Sequence, residues 1–304
     1  MEKNLFEPVP SLLSRTIEHE LTQEQLSYYG EALDKLVSIG THLLNWECQD
    51  DDVNSVSGDE ALVVAAAFRR LLQLMDAISL QIKVGAVDSA IVHLRVLFEH
   101  CVQFEHLISN DTLNRSFCMV VADKYRIVES IRKTPLSKRI PDESSYLEHL
   151  ETQLGRSELQ PYKEEYERLR LSATNKELKW YNLFNNKLSD FSKLVEFEFP
   201  AYKTNYRWIS KMFGNDAVHS TNLIDGSFVN QDGSTGIIQI RKPIEAFALA
   251  GIVHNVIRNP FEKFVKRRAA KRQSEYIKAI MVWEVAHKDL AFPKLNNYNQ
   301  KNHI

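Results

Sequence analysis

The sequence predicts an all-α protein, a multi-helix bundle with one small β-hairpin insertion near residues 227–241. Long segments repeat apolar residues every three or four positions, which is the spacing of one face of an α-helix. Ten glycines and nine prolines in 304 residues are too few for the many tight turns of an all-β sandwich. With 44% hydrophobic and 26% charged residues, the composition is that of an ordinary globular protein with ample material for a core.

The first helices are predicted from their start signals and their apolar spacing. A first helix is expected from about Thr22 to Trp46, and an acidic loop follows it. Ser57-Gly-Asp-Glu60 has the capping-box pattern and opens a second helix that runs to about Lys83. A third helix, about Val87 to Ser109, is apolar almost all round, which is typical of a central helix covered by several neighbours.

The later elements alternate with connections. Asn110-Asp111 is expected to cap a fourth helix that runs to about Lys133. The segment 142–171 is rich in charge and weakly apolar, which predicts a solvated helical arm. Further helices are expected over residues 183–197, 202–213 and 243–288. The run 227–241 places a Gln231-Asp-Gly-Ser turn between two apolar stretches, which indicates the hairpin.

The domain organisation predicted from these elements has three parts. Residues 1–57 form an N-terminal helix and an acidic loop. Residues 58–259 form a helical core domain that includes the charged arm 142–171 and the hairpin 227–241. Residues 260–304 form a basic C-terminal helix and a disordered tail rich in asparagine.

Net charge, cysteine spacing and the lengths of apolar runs indicate which compartment and which partners to expect. A formal net charge of -2 provides no global field that recruits nucleic acid or an anionic membrane, although a local basic patch still can. Three cysteines without metal-ligand spacing favour a reducing compartment. The first ten residues lack the apolar stretch of a signal peptide, and no run of 18 apolar residues exists. We therefore expect a cytoplasmic protein that has no membrane partner.

Polar residues interrupt the apolar third helix. Arg95 and Glu99 lie one turn apart and project about 40° from each other, so they can form an ion pair on one face. Because apolar residues flank that face, the pair is expected to be partly withdrawn from water and to need further hydrogen-bond partners. Tyr206, Ser210 and His219 are the candidates, and they complete a predicted pocket. A buried pair that only fixes helix register explains the same pattern, and that alternative stays open.

Several short motifs together resemble a known family. They are Arg95-Val-Leu-Phe-Glu99, Lys179-Trp-Tyr, Tyr202, Tyr206-x-x-Ile-Ser210 and the later His219. In combination they look like a bacterial helical domain family of unknown function, over roughly Ala61 to Asn222. The resemblance implies an all-helical fold with these polar residues gathered inside, and it supplies no activity. Here Gly214-Asn-Asp separates the serine from the histidine, which share one unbroken stretch in the usual layout.

Arg95-Val-Leu-Phe-Glu-His100 also fits a spacing of arginine, four to six residues and histidine. This motif resembles that of the HEPN superfamily, helical bundles of toxins and phage-defence proteins, many of them metal-independent ribonucleases. The resemblance implies dimerisation and an RNA substrate, with Arg95 holding the phosphate and His100 or His219 moving the proton. In a regular helix Arg95 and His100 point about 140° apart. An interrupted helix or a second copy must therefore complete such a site.

A basic run near the C-terminal end is a candidate nucleic-acid contact. Its six cations can neutralise phosphates, although such a run is more often a solvated helix face. They are Lys263, Lys266, Arg267, Arg268, Lys271 and Arg272. No zinc spacing, carboxylate cluster or phosphate-binding loop stands in the sequence, so we expect neither a metal nor a cofactor.

Three classes of function fit these observations. The favoured one is a HEPN-like effector of phage defence or toxin action, a metal-independent endoribonuclease with Arg95, His100 and His219 as catalytic residues. The alternative is a non-catalytic binding module whose polar pocket, with Glu99, Tyr206 and Ser210, recognises a ligand or a partner. The third is a purely structural subunit. The expected partners are RNA, a second copy of the chain or another protein.

Overall fold

The computed structural model describes residues 20–47, 58–135, 142–172, 178–212, 227–229, 235–237, 243–268, 274–275 and 277–278 of the chain. These residues are mostly helical, which confirms the predicted helical fold. The α-helices are α1 (Glu20–Glu47), α2 (Gly58–Lys83), α3 (Val87–Ser109), α4 (Thr112–Lys133), α5 (Glu143–Leu154), α6 (Gln160–Ser172), α7 (Phe191–Glu198), α8 (Lys203–Met212) and α9 (Pro243–Arg268). Short 3₁₀ turns occur at Ser157–Leu159, Trp180–Asn182 and Pro200–Tyr202.

Two short strands accompany the helices. Strand β1 (Ser227–Val229) pairs with β2 (Thr235–Ile237) in antiparallel register, with Phe228 opposite Gly236. The connection between them and the residues after β2 lie outside the described residues. The predicted insertion over 227–241 therefore stays a prediction as a whole.

Helices α1 to α4 begin and end within two residues of the predicted positions. The stop between α2 and α3 has a clear local cause. Gly85 adopts φ 68°, and its N–H donates to the carbonyl of Ile82 at 2.9 Å while the N–H of Ala86 donates to that of Gln81 at 2.9 Å. These are the two bonds of a Schellman cap, which needs a left-handed residue and so favours glycine.

Two predictions about the middle of the chain are wrong. The charged segment 142–171 is not a solvated arm, because α5 and α6 pack against α4 and bury apolar side chains. The buried residues are Leu150, Leu154, Leu159, Tyr162, Tyr166 and Leu169. Their spacing is helical, but charged neighbours lower the average hydrophobicity. The helix predicted over 183–197 is also too long: α7 begins only after Asp190, whose carboxylate accepts from the Lys193 N–H at 2.9 Å.

The prediction that α3 is covered on every side is wrong as well. Val92 and Val96 lie on one face of α3 and are 60% and 43% exposed. The opposite face buries Leu94, Leu97 and Phe98. Helix α3 therefore has one buried face and one exposed face. The exposed face includes two valines that the sequence alone assigns to the core.

The chain divides into two compact units. The first comprises Met1–Glu47, Arg69–Cys101 and Asn205–Ile304, and the second comprises Cys48–Phe68 and Val102–Thr204. Helix α9 continues through Pro260, so the predicted boundary between residues 259 and 260 falls inside a helix. The predicted three-part organisation stays a prediction.

The first unit has its core between α1, α2 and α9. Helix α1 buries one residue at every third or fourth position: Leu26, Gly30, Leu33, Leu36, Gly40 and Leu43. The glycines allow close approach of the neighbouring helices. A Cβ built on Gly40 would lie 2.3 Å from Leu72 Cδ2 and 2.9 Å from Phe261 Cζ, distances that real side chains do not show. The α1 backbone is thus packed directly against side chains of α2 and α9.

Polar groups also join α1 to α2. The hydroxyl of Ser79, which is fully buried, lies 2.8 Å from the Gly30 carbonyl and 2.5 Å from Asp34 Oδ1. Lys83 Nζ donates to the other carboxylate oxygen of Asp34. A buried hydroxyl and an ion pair therefore set the register of these two helices, since slipping either helix would leave a buried polar group unpaired.

The core of the second unit is rich in aromatic rings. Phe68 and Phe104 are in contact at 5.8 Å between ring centroids, and Tyr125 stacks on Tyr166 at 4.5 Å. Helix α4 contacts α5, α6 and the 3₁₀ turn at Trp180–Asn182. Among the described residues of the whole chain, no helix is both long enough and apolar enough to cross a membrane.

The close approach at Gly40 generates a stability prediction. Gly40→Ala adds a methyl group that overpacks the helix contact, which typically costs about 1 to 3 kcal/mol. The better helix propensity of alanine offsets up to about 1 kcal/mol of that. We expect a net loss of about 1 to 2 kcal/mol in the free energy of unfolding, measured by urea denaturation. The neighbouring exposed Thr41→Ala is the control, with a change within about 0.5 kcal/mol; equal stability of the two variants would refute the close packing.

Candidate functional site

The predicted ion pair of α3 exists, but it lies at the surface. Arg95 Nε is 3.3 Å from Glu99 Oε1, and each side chain is 34% exposed. The pair is partly withdrawn from water, as expected, without being buried. An ion pair that water reaches contributes about 0 to 1 kcal/mol. The pair is thus not a main support of the fold.

Of the other predicted pocket residues, the structure brings Tyr206 to α3. Its ring stacks on Phe98 at 6.4 Å between centroids and 11° between planes, so α8 runs beside the part of α3 that carries the pair. Ser210 Oγ is buried and has no hydrogen-bond partner among the described residues. His100 is half-buried on α3. His219 lies outside the described residues, so its proposed convergence with Arg95 stays a prediction.

The basic run belongs to an amphipathic helix. Lys263, Lys266 and Arg267 are exposed on α9, where Lys266 Nζ lies 3.6 Å from Glu262 Oε2, whereas Phe264 is buried. Arg268 is the last residue of α9, and Lys271 and Arg272 lie outside the described residues. This arrangement is a charged outer face, and its contact with nucleic acid stays a prediction.

The second unit contains a cavity that the sequence did not predict. Its volume is about 150 Å³. The polar lining residues are His106, Asp111, Asn114, Arg115, Cys118 and Asn185. The apolar walls come from Trp180, Tyr181, Leu183, Phe184 and Leu188. The cavity therefore lies between the α3–α4 junction, the first turns of α4 and the segment that follows the 3₁₀ turn at Trp180–Asn182.

Backbone strain is concentrated around this cavity. Asp111, with φ 52°, and Phe184, with φ 61°, are the two non-glycine residues with positive φ within the described ranges, and both line it. A positive φ is tolerated by aspartate, but for a bulky side chain it is an outlier that costs of order 1 to 3 kcal/mol. Phe184 is also 60% exposed, so burial does not repay the strain. Strain of this kind is typical of ligand sites.

Arg115 fixes the α3–α4 junction. Its Nη1 donates to the carbonyl of His106, in the last turn of α3, and lies 2.7 Å from Ser109 Oγ. The last four carbonyls of a helix have no partner inside that helix, so the arginine satisfies one of them. Both acceptors are neutral, and burial lowers the pKa of Arg115, although Glu198 and Asp111 act in the opposite direction. The guanidinium thus stands partly dehydrated at the cavity without a direct carboxylate partner.

His106 lines the same cavity, and its imidazole is uncharged at neutral pH. Its side chain is 5% exposed and contacts Trp180 at 5.4 Å between ring centroids. Burial, with the positive charge of Arg115, lowers the pKa of His106 to about 3. Nδ1 is buried and has no hydrogen-bond partner among the described residues; the nearest carboxylate oxygen, of Glu198, is 4.0 Å away. At neutral pH the imidazole is therefore uncharged, and its Nδ1 is a polar atom buried behind the cavity surface.

Hydrogen bonds hold the remaining walls in place. Asn114 Nδ2 donates to Asp111 Oδ1 at 2.6 Å, and the Tyr162 hydroxyl donates to Asn114 Oδ1. Trp180 Nε1 donates to Gln103 Oε1 at 3.3 Å, which anchors the indole to α3. Burial raises the pKa of the Cys118 thiol to about 12, so this cysteine is protonated at neutral pH. The cavity is thus a preformed polar and aromatic pocket.

Sequence patterns contained only partial signals for this pocket. Trp180 and Tyr181 belong to the Lys179-Trp-Tyr motif that carried the family resemblance, and Asp111 stands at the expected helix cap. His106 and Arg115 had no recognisable spacing. Within the described part of the chain, no group of histidine, cysteine, aspartate and glutamate side chains is arranged to hold a metal ion.

The exposure of the α3 ion pair leads to one prediction. Glu99→Gln removes the charge of a pair that water reaches, so the free energy of unfolding should fall by less than about 1 kcal/mol. Urea denaturation at low and at high salt measures it. A loss of about 3 to 5 kcal/mol would show instead that the pair is buried.

A second prediction concerns acid stability. The folded pKa of His106, about 3, lies below the unfolded value of 6.5. The unfolded state therefore binds more protons in that window, and stability falls as the pH falls. Between pH 7 and pH 5 this one group should remove about 2 kcal/mol of stability. His106→Phe keeps a ring against Trp180 and has no titrating group, so its free energy of unfolding should fall less over the same range. If the free energy of unfolding falls equally with pH in both proteins, His106 is not buried in its neutral form.

Comparison with known proteins places the chain in a family. No curated protein and no solved structure matches it. One family model matches residues 61–234, which is more than half of the chain and includes every residue that lines the cavity. The chain therefore belongs to DUF5677, a family of unknown function.

Proposed function

We propose that this protein is a non-catalytic helical binding module and that the cavity of the second unit holds its ligand. The observation that carries this proposal is the coincidence of strain and cavity: both described non-glycine residues with positive φ line one pocket. Strain of this size persists only where the surrounding structure enforces it, and ligand sites are the usual reason. This is the binding-module alternative of the sequence analysis, with a different set of pocket residues.

The protonation of the cavity side chains favours binding over chemistry. A general base needs a pKa near the working pH, whereas that of His106 is about 3. A cysteine nucleophile needs thiolate, whereas the pKa of Cys118 is about 12. Both groups are therefore poor at moving protons or attacking a substrate at neutral pH. They remain suitable for shaping a pocket and for hydrogen bonding.

A cavity-filling variant tests the binding site. Asn185 lines the cavity and is half-buried, so Asn185→Phe should fill part of the volume without disturbing the core. Lys187→Phe adds the same ring at an exposed position of the same segment and is the matched control. The measurement is thermal denaturation in the presence of single-ring compounds such as benzoate, benzamide and benzyl alcohol. At least one should raise the Tm of the wild type and of the control but not that of Asn185→Phe; equal behaviour of all three proteins would contradict the site.

The strain at Phe184 allows a separate test of the same proposal. Phe184→Gly relieves a strain of about 1 to 3 kcal/mol, offset in part by up to about 1 kcal/mol for the more flexible unfolded chain. Stability should stay the same or rise, while binding of the ring compound weakens. Leu62→Gly is the control, because Leu62 is exposed within α2 and the variant should lose about 1 kcal/mol. A similar loss in both variants would show that Phe184 is not strained.

A second candidate is the metal-independent endoribonuclease that the HEPN resemblance implies, acting in phage defence or as a toxin. In its favour, Arg95 and His100 are both only half-buried, so RNA and a second copy of the chain can reach them. His100→Ala or His219→Ala should then abolish RNA cleavage that persists in EDTA. His149→Ala, which changes an exposed histidine of α5, should leave cleavage intact. Cleavage unaffected by both active-site variants would exclude this function.

The remaining expectations are proposals of the same kind. They are a cytoplasmic location, assembly with a second copy or with a partner protein, RNA contact through the basic face of α9, and a complete hairpin over residues 227–241. The exposed cations Lys263, Lys266 and Arg267 support the third of these. The antiparallel pairing of β1 and β2 supports the fourth.

A further inference from the structure

The open edge of Arg115 indicates what the cavity binds. We infer that its ligand carries an oxyanion, a carboxylate or a phosphate, on an apolar body about the size of one six-membered ring. This inference rests on the proposed binding function of the same cavity. It adds the chemical class of the ligand and the residue that selects it.

Arg115 uses one of its three guanidinium nitrogens in hydrogen bonds to described residues. One nitrogen, Nη1, is held by the His106 carbonyl and the Ser109 hydroxyl. Neither Nε nor Nη2 donates to any residue in the part of the chain that the structure describes, although a guanidinium has five N–H donors. The guanidinium is therefore fixed at Nη1, while the edge formed by Nε and Nη2 has no acceptor among the described residues. An arginine edge matches two oxygens of a carboxylate or phosphate and makes two parallel bonds to them.

The groups that contact Arg115 directly do not neutralise its charge. Its direct acceptors are neutral, and no described carboxylate lies within ion-pair distance of it, although Glu198 and Asp111 act on it electrostatically from farther away. The Asp111 carboxylate accepts from Asn114 instead, and Glu198 does not line the cavity. A cation that is half-buried and held by neutral acceptors gains most from an anion that replaces its lost water. The fixed position of the guanidinium also lowers the entropy that a ligand must overcome.

The size and the lining of the cavity suit a single ring. A volume of about 150 Å³ is that of protein cavities which hold a single benzene ring. The indole of Trp180 and the rings of Tyr181 and Phe184 supply the apolar walls. His106 also lines the cavity, but its Nδ1 is shielded from solvent, so that atom is not one of the groups that a ligand would contact.

Three ring compounds of the same size form the experiment: benzoate, phenyl phosphate and the neutral benzamide. Binding to the full chain is followed by Tm and by tryptophan fluorescence. We expect benzoate or phenyl phosphate to bind at least about tenfold more tightly than benzamide, because charge-assisted bonds to the guanidinium are stronger than neutral ones. Inorganic phosphate without the ring should bind more weakly than phenyl phosphate. The better of the two anions identifies the oxyanion.

Variants assign the preference to Arg115. Arg115→Lys keeps the charge but not the two-pronged edge, so the preference for the anion should fall several-fold. Arg126→Gln removes an exposed cation of α4 and should leave the preference unchanged. Should Arg115→Lys fail to fold, the comparison of the three probes on the wild-type protein still decides. Benzamide binding as tightly as both anions would overturn the oxyanion inference and leave the cavity as a binding site.

Failure of the proposed function has a different signature. If no ring compound, charged or neutral, changes the Tm of the wild type relative to Asn185→Phe, the cavity is not a ring-binding site and both proposals fall. If inorganic phosphate alone binds as tightly as phenyl phosphate, the apolar body is refuted while the oxyanion stands. If all preferences persist in Arg115→Lys, another cation selects the ligand.

Discussion

The hydrogen bonds of one guanidinium nitrogen determine the geometry of the second unit's cavity. Arg115 lies in the first turn of α4, and its contacts reach back to the last turn of α3 across a connection of two residues. That connection is short only because Asp111 takes a left-handed conformation. The chain reversal, the left-handed conformation of Asp111 and the position of the Arg115 guanidinium therefore depend on one another. Without these contacts of Arg115 the imidazole of His106 and the first turn of α4 would have no fixed relation.

Electrostatics give this cavity an unusual combination of groups. It holds a fixed cation, a neutral imidazole and a protonated thiol at neutral pH. Catalytic sites are usually recognised by groups whose pKa values are shifted toward 7. In this cavity burial shifts the pKa values of His106 and Cys118 away from 7, to about 3 and about 12. The same physical cause, desolvation, acts on both groups and disfavours their charged forms.

The sequence predicted the features that depend on residues close together in the chain. The sequences of helices α1 to α4 show long apolar periods, a capping-box pattern before α2 and a glycine after it, and the positions of these helices follow from those patterns. The predicted arm and the helix over 183–197 failed because charge hid the buried stripe of α5 and α6, and because Asp190 starts a helix later than the apolar pattern suggests. The Arg95 and Glu99 pair was found because its spacing lies within one helix. The cavity was missed because Arg115 and Phe184 are far apart in sequence and neither side chain's role has a periodic signature.

The two glycines in the buried stripe of α1 have a consequence for how the first unit forms. Gly30 and Gly40 lower the intrinsic stability of α1, since each costs about 1 kcal/mol relative to alanine in a helix. The partner that compensates includes Phe261 of α9, more than 200 residues later. At a synthesis rate of roughly 5 to 20 residues per second, α1 waits on the order of 10 to 40 s on the ribosome before that partner exists. During this interval the apolar stripe of α1 lacks the part of its core that α9 supplies.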